Sequence, residues 1–238
     1  VILLFYTGNY DPRCVAVPRR DNGMNVSNKS VERLPRYHRR ALIALSEGRK
    51  YITSRELAEA LRIDESLVRR DLASINIAGR PRLGYPLTDL CRLLADSLGY
   101  GEVSRAVLIG AGHLGTAISN YPGFLKMGLH IIALFDSDPE RIGQPVGGRR
   151  VLHIDRLPAF LAERRPDVGI ITVPSDQAQP VVDMWVAGGC IAGIWDFSGA
   201  RLKAPDDIVL EHADLAAAWS VLSHKLKSRS AVPRRSED

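Results

Sequence analysis

The chain has 238 residues and 45% of them are hydrophobic, which provides for two ordinary domains and excludes a fibrous or wholly disordered protein. No apolar run reaches the length of a membrane span, and the stretch Val1 to Tyr6 is too short for a signal peptide, so we expect a soluble protein. Cys14, Cys91 and Cys190 are too far apart to indicate a metal site or a disulfide framework, which favours the reducing cytoplasm.

Charge is divided unevenly along the chain, whose formal net charge is +5. Basic residues exceed acidic ones by 5 over residues 31–82, whereas acidic residues exceed basic ones by 5 over residues 83–224. A basic surface on a small domain favours a nucleic acid as partner, although a solvated charged face would give the same count.

Residues 1–30 show no hydrophobic periodicity and are rich in Asn, Gly, Pro and Arg. We expect them to form a mostly disordered extension, within which Met24 could be the natural start. A first helix is then expected to begin at Pro35 and to end near Gly48. Thr53 and Glu56 have the spacing of a capping box at the start of a second helix.

Asp64 is placed to cap a third helix after the short link Arg62-Ile63, a connection typical of a helix-turn-helix. Val68, Leu72 and Ile75 recur at helical spacing and should pack inward. The opposite face would then carry Ser66, Arg69, Arg70 and Ala73. We expect this helix to enter the major groove of DNA.

The segment Gly79-Arg80-Pro81-Arg82-Leu83-Gly84-Tyr85 has the composition of a β-turned wing, from which two arginines would reach phosphates or a narrow minor groove. A further helix over residues 86–98 and a linker at residues 99–101 would complete a winged-helix DNA-binding domain over residues 31–101. Its expected DNA contacts are Ser66, Arg69, Arg70, Arg80 and Arg82. The alternative is a small helical bundle that serves only for packing or dimerisation.

The apolar run ending at Ile109 leads into Gly110-Ala111-Gly112-His113-Leu114-Gly115, the spacing of a dinucleotide-binding loop. Its glycines would permit a tight turn, the approach of a pyrophosphate and the packing of a helix whose positive end faces the phosphates. The next apolar run stops at Asp136, 21 residues after Gly115, where a carboxylate can accept hydrogen bonds from a ribose diol and repel a 2'-phosphate. NAD is therefore favoured over NADP, and a plain structural turn is the alternative.

Strand-like and helical segments alternate over residues 102–213, which predicts an α/β doubly wound parallel sheet in a two-domain, α+β chain. Ligands of such sheets lie at the carboxyl ends of the strands. The expected cofactor contacts are Gly110, Ala111, Gly112, His113, Leu114, Gly115, Asp136, Pro174 and Phe197, with no chemical role for His113. A final amphipathic helix over residues 214–228 would pack on another subunit, ahead of a disordered tail at residues 229–238.

The combination of these two domains resembles the Rex family of redox-sensing transcriptional repressors, from about Arg33 to Leu226. Besides the glycine loop, the strings that carry the resemblance are Leu34-Pro35-x-Tyr37-x-Arg39, Val68-Arg69-Arg70-Asp71-Leu72, Gly84-Tyr85, Asn120-Tyr121-Pro122-Gly123-Phe124, Phe135-Asp136-x-Asp138-Pro139 and Asp214-Leu215-Ala216. The string around Tyr121 is more particular than the glycine loop, which many dinucleotide-binding proteins share.

The resemblance implies a homodimer with swapped C-terminal helices, which binds operator DNA when NADH is scarce and releases it when NADH accumulates. It also implies that Arg39, Tyr121 and Asp214 form a switch network between the nucleotide and the DNA-binding domains. From the residues alone, Arg39 would be a solvated charge, Tyr121 a packing residue and Asp214 a helix N-cap. The chain departs from the family pattern at Ala73, Ile75, Asn76 and Pro81, which leaves its operator sequence open.

Two other functions would fit parts of the sequence. An NAD-dependent oxidoreductase would use the same loop, but one cofactor domain takes up nearly all the residues after the winged helix and leaves no substrate domain. Nor do His113, His130, His153 and His212 have acidic neighbours at a spacing that suggests a proton relay. A coenzyme-A-responsive regulator would use a similar glycine turn, but Asp136 would face the 3'-phosphate of coenzyme A unfavourably. We therefore expect a DNA-binding regulator, with neither catalytic residues nor metal ligands.

Overall fold

A computed structural model describes residues 27–230 of the chain. The possible start at Met24 and most of the predicted disordered ends lie outside these residues. The described residues divide into two compact units, and the boundary falls between Leu98 and Gly99.

The first unit is mainly helical. Its elements are α1 (Asn28–Val31), α2 (Leu34–Ser46), β1 (Tyr51–Ile52), α3 (Ser54–Leu61), α4 (Glu65–Ser74), β2 (Tyr85–Pro86) and α5 (Leu87–Ser97). Helix α1 includes the last residues of the extension that the sequence predicts to be mostly disordered. The Ser27 side chain accepts a hydrogen bond from the Ser30 backbone N–H at 3.2 Å, which caps the amino end of this helix. Ser30 itself is buried.

One hydrophobic core joins the helices of this unit. The predicted capping box is confirmed, since Thr53 accepts from the Glu56 backbone and the Glu56 side chain accepts from the Thr53 backbone. Val68 and Leu72 on the inner face of α4, and Ile75 directly after it, are buried as predicted. Arg62 adopts a left-handed conformation between α3 and α4, which turns the chain within three residues.

The predicted wing is a turn carried by a short antiparallel ladder. Strand β1 pairs with β2, and directly before β2 the backbones of Arg80 and Gly84 form a further antiparallel bridge. Gly84 has a φ of +87°, and a Cβ atom there would overlap the carbonyl oxygen of Ile52. Glycine is therefore required for the wing to approach β1.

The second unit is built on a seven-stranded sheet. Its elements are β3 (Ser104–Ile109), α6 (His113–Ser119), α7 (Pro122–Lys126), β4 (Leu129–Asp136), β5 (Pro145–Val146), β6 (Arg149–His153), a 3-10 turn (Ile154–Arg156), α8 (Leu157–Arg164), β7 (Val168–Ile171), α9 (Ser175–Gly188), β8 (Gly193–Asp196), β9 (Val209–His212) and α10 (Leu215–Ser230).

The strand order is β5-β6-β4-β3-β7-β8-β9, and every neighbouring pair is parallel except β5 and β6. This confirms the predicted doubly wound sheet, to which the sequence analysis had not assigned the antiparallel edge strand β5. Successive strands extend outward from β3 in both directions, so the order reverses between β3 and β7. Buried residues form a core on each face of the sheet.

Helix α10 differs from the other helices of this unit because its apolar side chains are exposed. Leu215, Trp219, Leu222 and Leu226 are each about half exposed or more and fall on one face at i, i+4, i+7 and i+11. Over residues 27–230, no helix is long and apolar enough to cross a membrane. Within the same range, no group of three or more His, Cys, Asp or Glu side chains is placed to hold a metal ion.

Candidate functional site

The glycine loop follows β3 at the point where the strand order reverses. Gly110 has a φ of +101°, and a Cβ atom there would lie 2.8 Å from the carbonyl carbon of Thr172 on the neighbouring strand connection. A Cβ atom at Gly115 would overlap the carbonyl oxygen of Gly110. Both positions therefore require glycine, the first for its backbone conformation and the second for the packing of α6 on the loop.

Asp136 ends β4 and holds the glycine loop in place. Its Oδ2 accepts a hydrogen bond from the Ala111 N–H at 2.7 Å, and its Oδ1 accepts one from the Asp138 N–H at 2.9 Å. Each carboxylate oxygen can accept a second hydrogen bond, so the side chain is oriented by the backbone while it retains acceptor capacity toward a diol. The sequence analysis did not foresee this structural role of Asp136.

A second side chain fixes the loop from the other side. The Thr172 hydroxyl lies 2.7 Å from the carbonyl oxygen of Gly110 and 3.0 Å from that of Ile109, and it donates to this pair. Thr172 was not predicted from the sequence, although it follows a buried β-rich run directly, where Rossmann-type sites gather their polar groups.

The remaining predicted cofactor residues lie at the same edge of the sheet. His113 is exposed at the start of α6, and Leu114 is half-buried beside it. Pro174 precedes α9, and Phe197 directly follows β8. Since β3, β4, β7 and β8 are parallel, their carboxyl ends bring Gly110, Asp136, Pro174 and Phe197 to one edge.

Aromatic rings form a continuous row beside this edge. Ring centroids are 4.8 Å apart for Tyr121 and Phe124, 5.3 Å for Phe124 and Trp195, and 4.7 Å for Trp195 and Phe197. Tyr121 is 53% exposed at the outer end of the row. A Cβ atom at Gly123 would overlap the Tyr121 ring, so Gly123 in the family-like string makes room for that ring.

Asp214 and Arg39, which the resemblance places in a switch, lie in different units. Asp214 caps α10, because its Oδ1 accepts a hydrogen bond from the Ala217 N–H at 2.8 Å. The strand before it is fixed by a 2.8 Å contact between His212 Nδ1 and the buried carboxylate of Asp196. Arg39 is exposed on α2 of the first unit. The switch roles of Arg39, Tyr121 and Asp214 stay predictions.

The predicted DNA contacts are all exposed within the first unit. Ser66, Arg69 and Arg70 lie on the outer face of α4, whose first turn is capped by Asp64. Arg80 and Arg82 project from the wing. Arg80 donates a 3.3 Å hydrogen bond to the Tyr51 hydroxyl, which holds one wing arginine against β1.

An ion pair on the inner face of α4 was not foreseen from the sequence. Asp71 is 1% exposed and accepts hydrogen bonds from Arg33 Nε at 2.6 Å, from Arg33 Nη2 at 2.8 Å and from the Tyr37 hydroxyl at 2.7 Å. Burial by itself raises the pKa of Asp71, but the hydrogen bonds from Arg33, Tyr37 and Ser30 hold that pKa below its usual value. The charged carboxylate thereby ties α4 to the start of α2.

Two family models match the chain. The one described as "CoA binding domain" matches residues 102–199, and the one described as "Putative DNA-binding protein N-terminus" matches residues 25–73. Neither match reaches half of the chain, and the two matches fall in different units.

Curated relatives match over most of the chain. The redox-sensing transcriptional repressor Rex of Caldicellulosiruptor saccharolyticus is 36% identical over 205 residues, which are 86% of this chain and 93% of that protein. The protein of the same name from Rhodopirellula baltica is 36% identical over 209 residues, 88% of each chain.

Solved structures also match over most of the chain. The structure of RSP in complex with β-NAD+ and operator DNA matches with a TM-score of 0.80 and 35% identity, over 86% of this chain and 94% of that one. RSP in complex with β-NADH matches with a TM-score of 0.79 and 34% identity, over 87% and 96%.

Proposed function

Since the chain belongs to the Rex family of redox-sensing transcriptional repressors, we propose that it binds operator DNA through its first unit and NAD(H) through its second, and that NADH releases the DNA. The observation that carries this proposal is the joint presence, in one chain, of a helix α4 whose exposed face carries Arg69 and Arg70 and of a glycine loop oriented by Asp136. The family regulates transcription, so the chain is a regulator and not an enzyme.

The exposed arginines of the first unit favour contact with DNA. Helix α4 follows a three-residue turn, as the recognition helix of a helix-turn-helix does, and presents Arg69 and Arg70 to solvent. Arg80 and Arg82 extend the basic surface along the wing, where phosphates or a minor groove would be within reach.

The second unit supports a dinucleotide with an unmodified adenosine ribose. The carboxylate of Asp136 would accept from the ribose hydroxyls and would repel a 2'-phosphate. Related complexes of RSP contain β-NAD+ and β-NADH. We propose the same ligands here, bound by Gly110, Ala111, Gly112, His113, Leu114, Gly115, Asp136, Pro174 and Phe197.

Helix α10 supports a homodimer, because Leu215, Trp219, Leu222 and Leu226 leave one apolar face exposed. Exchange of this helix between two copies would cover that face. NADH would then shift the dimer between two states by its different affinity for them. The widely spaced cysteines are suited to the reducing cytoplasm, where we place the protein.

Coenzyme A is the second candidate ligand, because a CoA-binding family model matches residues 102–199. Asp136 disfavours it through repulsion of a 3'-phosphate. The two ligands can be compared in one experiment.

The test is fluorescence anisotropy of a labelled operator duplex, selected by the protein from a random pool, at fixed salt. NADH, NAD+ and coenzyme A are titrated separately. We expect NADH to release the duplex at far lower concentration than NAD+, with no response to coenzyme A. Release by coenzyme A alone would support the second candidate, and steady oxidation of NADH with a carbonyl substrate would support an oxidoreductase instead.

A further inference from the structure

Arg141 lies against the glycine loop although it is 26 residues beyond Gly115 in the sequence. A Cβ atom at Gly112 would lie 2.9 Å from Nη1 and 3.8 Å from Cζ of Arg141. The guanidinium group therefore occupies the space beside Gly112 that a side chain would otherwise fill. Its side chain is 39% exposed, so one side of the group faces solvent.

We propose that Arg141 is a further cofactor-contacting residue, which binds the pyrophosphate of the dinucleotide over the glycine loop. This proposal rests on the proposed NAD(H) site, and it adds a charged side chain to a loop that otherwise offers backbone groups.

The position of the guanidinium is set by a chain of contacts from the same loop. Ala111 donates to Asp136, Asp136 accepts from the backbone of Asp138, and Asp138 Oδ2 accepts from Arg141 Nε at 3.0 Å. The backbone N–H of Arg141 also donates to the carbonyl oxygen of Asp138 at 3.0 Å. Both the side chain and the backbone of Arg141 are thus tied to the strand end that holds the loop.

The donors of Arg141 leave capacity for an anion. A guanidinium carries five N–H groups, and Asp138 uses the one on Nε. Among residues 27–230, the two terminal amino groups of Arg141 make no hydrogen bond to a protein acceptor. A pair of parallel N–H groups fits two phosphate oxygens, which a lysine ammonium cannot match.

In an otherwise acidic segment, Arg141 is the cation available to a phosphate. Between Leu129 and Gly148, Arg141 is the only lysine or arginine, whereas Asp136, Asp138 and Glu140 are acidic. A dinucleotide brings further negative charge to this edge of the sheet. Arg141 is the cation of that segment that can offset the charge, while Asp136 is left to the ribose diol.

The experiment measures NADH affinity of the full chain at several salt concentrations, for the unaltered protein and for Arg141→Met, Arg141→Lys and Arg164→Met. Arg164 is the matched control, because it is an exposed arginine that pairs with an adjacent glutamate at the end of α8, ahead of the amino end of β7. Operator affinity without nucleotide and the thermal unfolding midpoint show that each variant is folded.

We expect Arg141→Met to weaken NADH binding about tenfold or more and to reduce its salt dependence, with operator affinity unchanged. Arg141→Lys should recover part of the affinity, and Arg164→Met should change nothing. Unchanged NADH affinity in folded Arg141→Met would overturn the proposal. Weaker binding with unchanged salt dependence would also overturn it, since the guanidinium would then stack on the adenine. Failure of the unaltered protein to bind NADH would instead reject the proposed function.

Discussion

The two units of this chain offer different chemical groups to their ligands. In the first unit, the groups that would meet DNA are the ends of long, exposed arginine side chains on α4 and the wing. In the second unit, much of the surface that would meet the dinucleotide is the backbone of residues 110–115, held by Asp136 and Thr172. Substitutions of single arginines in the first unit should each lower DNA affinity by a small, separate amount. A substitution that displaces the backbone of residues 110–115 should abolish dinucleotide binding altogether.

The largest effect is expected for Gly115→Ala in the second unit. The added methyl group would overlap the Gly110 carbonyl oxygen, which cannot move without displacing the loop. We expect the free energy of unfolding of this unit to fall by about 3 kcal/mol, with NADH binding lost. Urea unfolding and an NADH titration measure both. Gly101→Ala is the control, because no atom lies within 4 Å of a Cβ there; equal losses in the two variants would refute the packing argument.

Arg33→Met tests whether the first unit also depends on a rigid arrangement. The variant removes two hydrogen bonds from the buried carboxylate of Asp71, so we expect a loss of about 2 kcal/mol in the free energy of unfolding. Operator affinity should fall as well, because α4 loses its connection to α2. Arg36→Met, at an exposed position on the same helix, should leave both values unchanged. If Arg33→Met is as stable as the unaltered protein, the ion pair contributes nothing to the position of α4.

The same ion pair predicts a dependence on pH. The pKa of Asp71 in the folded chain is lowered, so its stabilising contribution is fully present above the unfolded-state pKa of about 3.9 and is lost as the pH falls through the folded value. Urea midpoints measured between about pH 3 and 6 should therefore fall more steeply below pH 4 in the unaltered chain than in Asp71→Asn. Parallel curves for the two proteins would assign the acid sensitivity to other carboxylates.

Asp136→Ala removes the side chain that both orients the glycine loop and is proposed to bind the ribose. We expect NADH affinity to fall by about tenfold to thirtyfold, or about 1.5–2 kcal/mol, because the loop loses one hydrogen bond and the ribose another. Operator affinity without nucleotide should stay the same. Tight NADH binding in this variant would remove Asp136 from the proposed site.

The smallest effect is expected for Arg70→Ala on the outer face of α4. One lost phosphate or base contact should weaken operator binding by about 1 kcal/mol and lower the slope of log affinity against log salt by about 1. Anisotropy at several salt concentrations measures both. Arg164→Ala, at an exposed arginine of the second unit that pairs with the adjacent Glu163, is the control. No change in affinity or slope would place the DNA contacts on another surface.

Features that depend on residues close together in the sequence were predicted correctly. The capping box of Thr53 and Glu56, the glycine loop and the end of β4 at Asp136 were predicted because each depends on neighbours within a few residues or on a single repeat. The Arg33–Asp71 pair spans 38 residues, and the contact of Arg141 with Gly112 depends on how two strand ends meet. No periodicity encodes such distances. Strand β5 was missed because two residues are too few to show a pattern.

The three tryptophans occupy three distinct environments, so the intrinsic fluorescence of the chain can report on assembly. Trp185 is fully buried beneath the sheet, Trp195 is half-buried in the aromatic row, and Trp219 is 62% exposed on α10. Indole emission moves to shorter wavelength when water is removed. Covering of α10 by a second copy would therefore move the emission of Trp219 to shorter wavelength. The concentration at which that change occurs, and its absence in Trp219→Phe, would follow assembly without any attached dye.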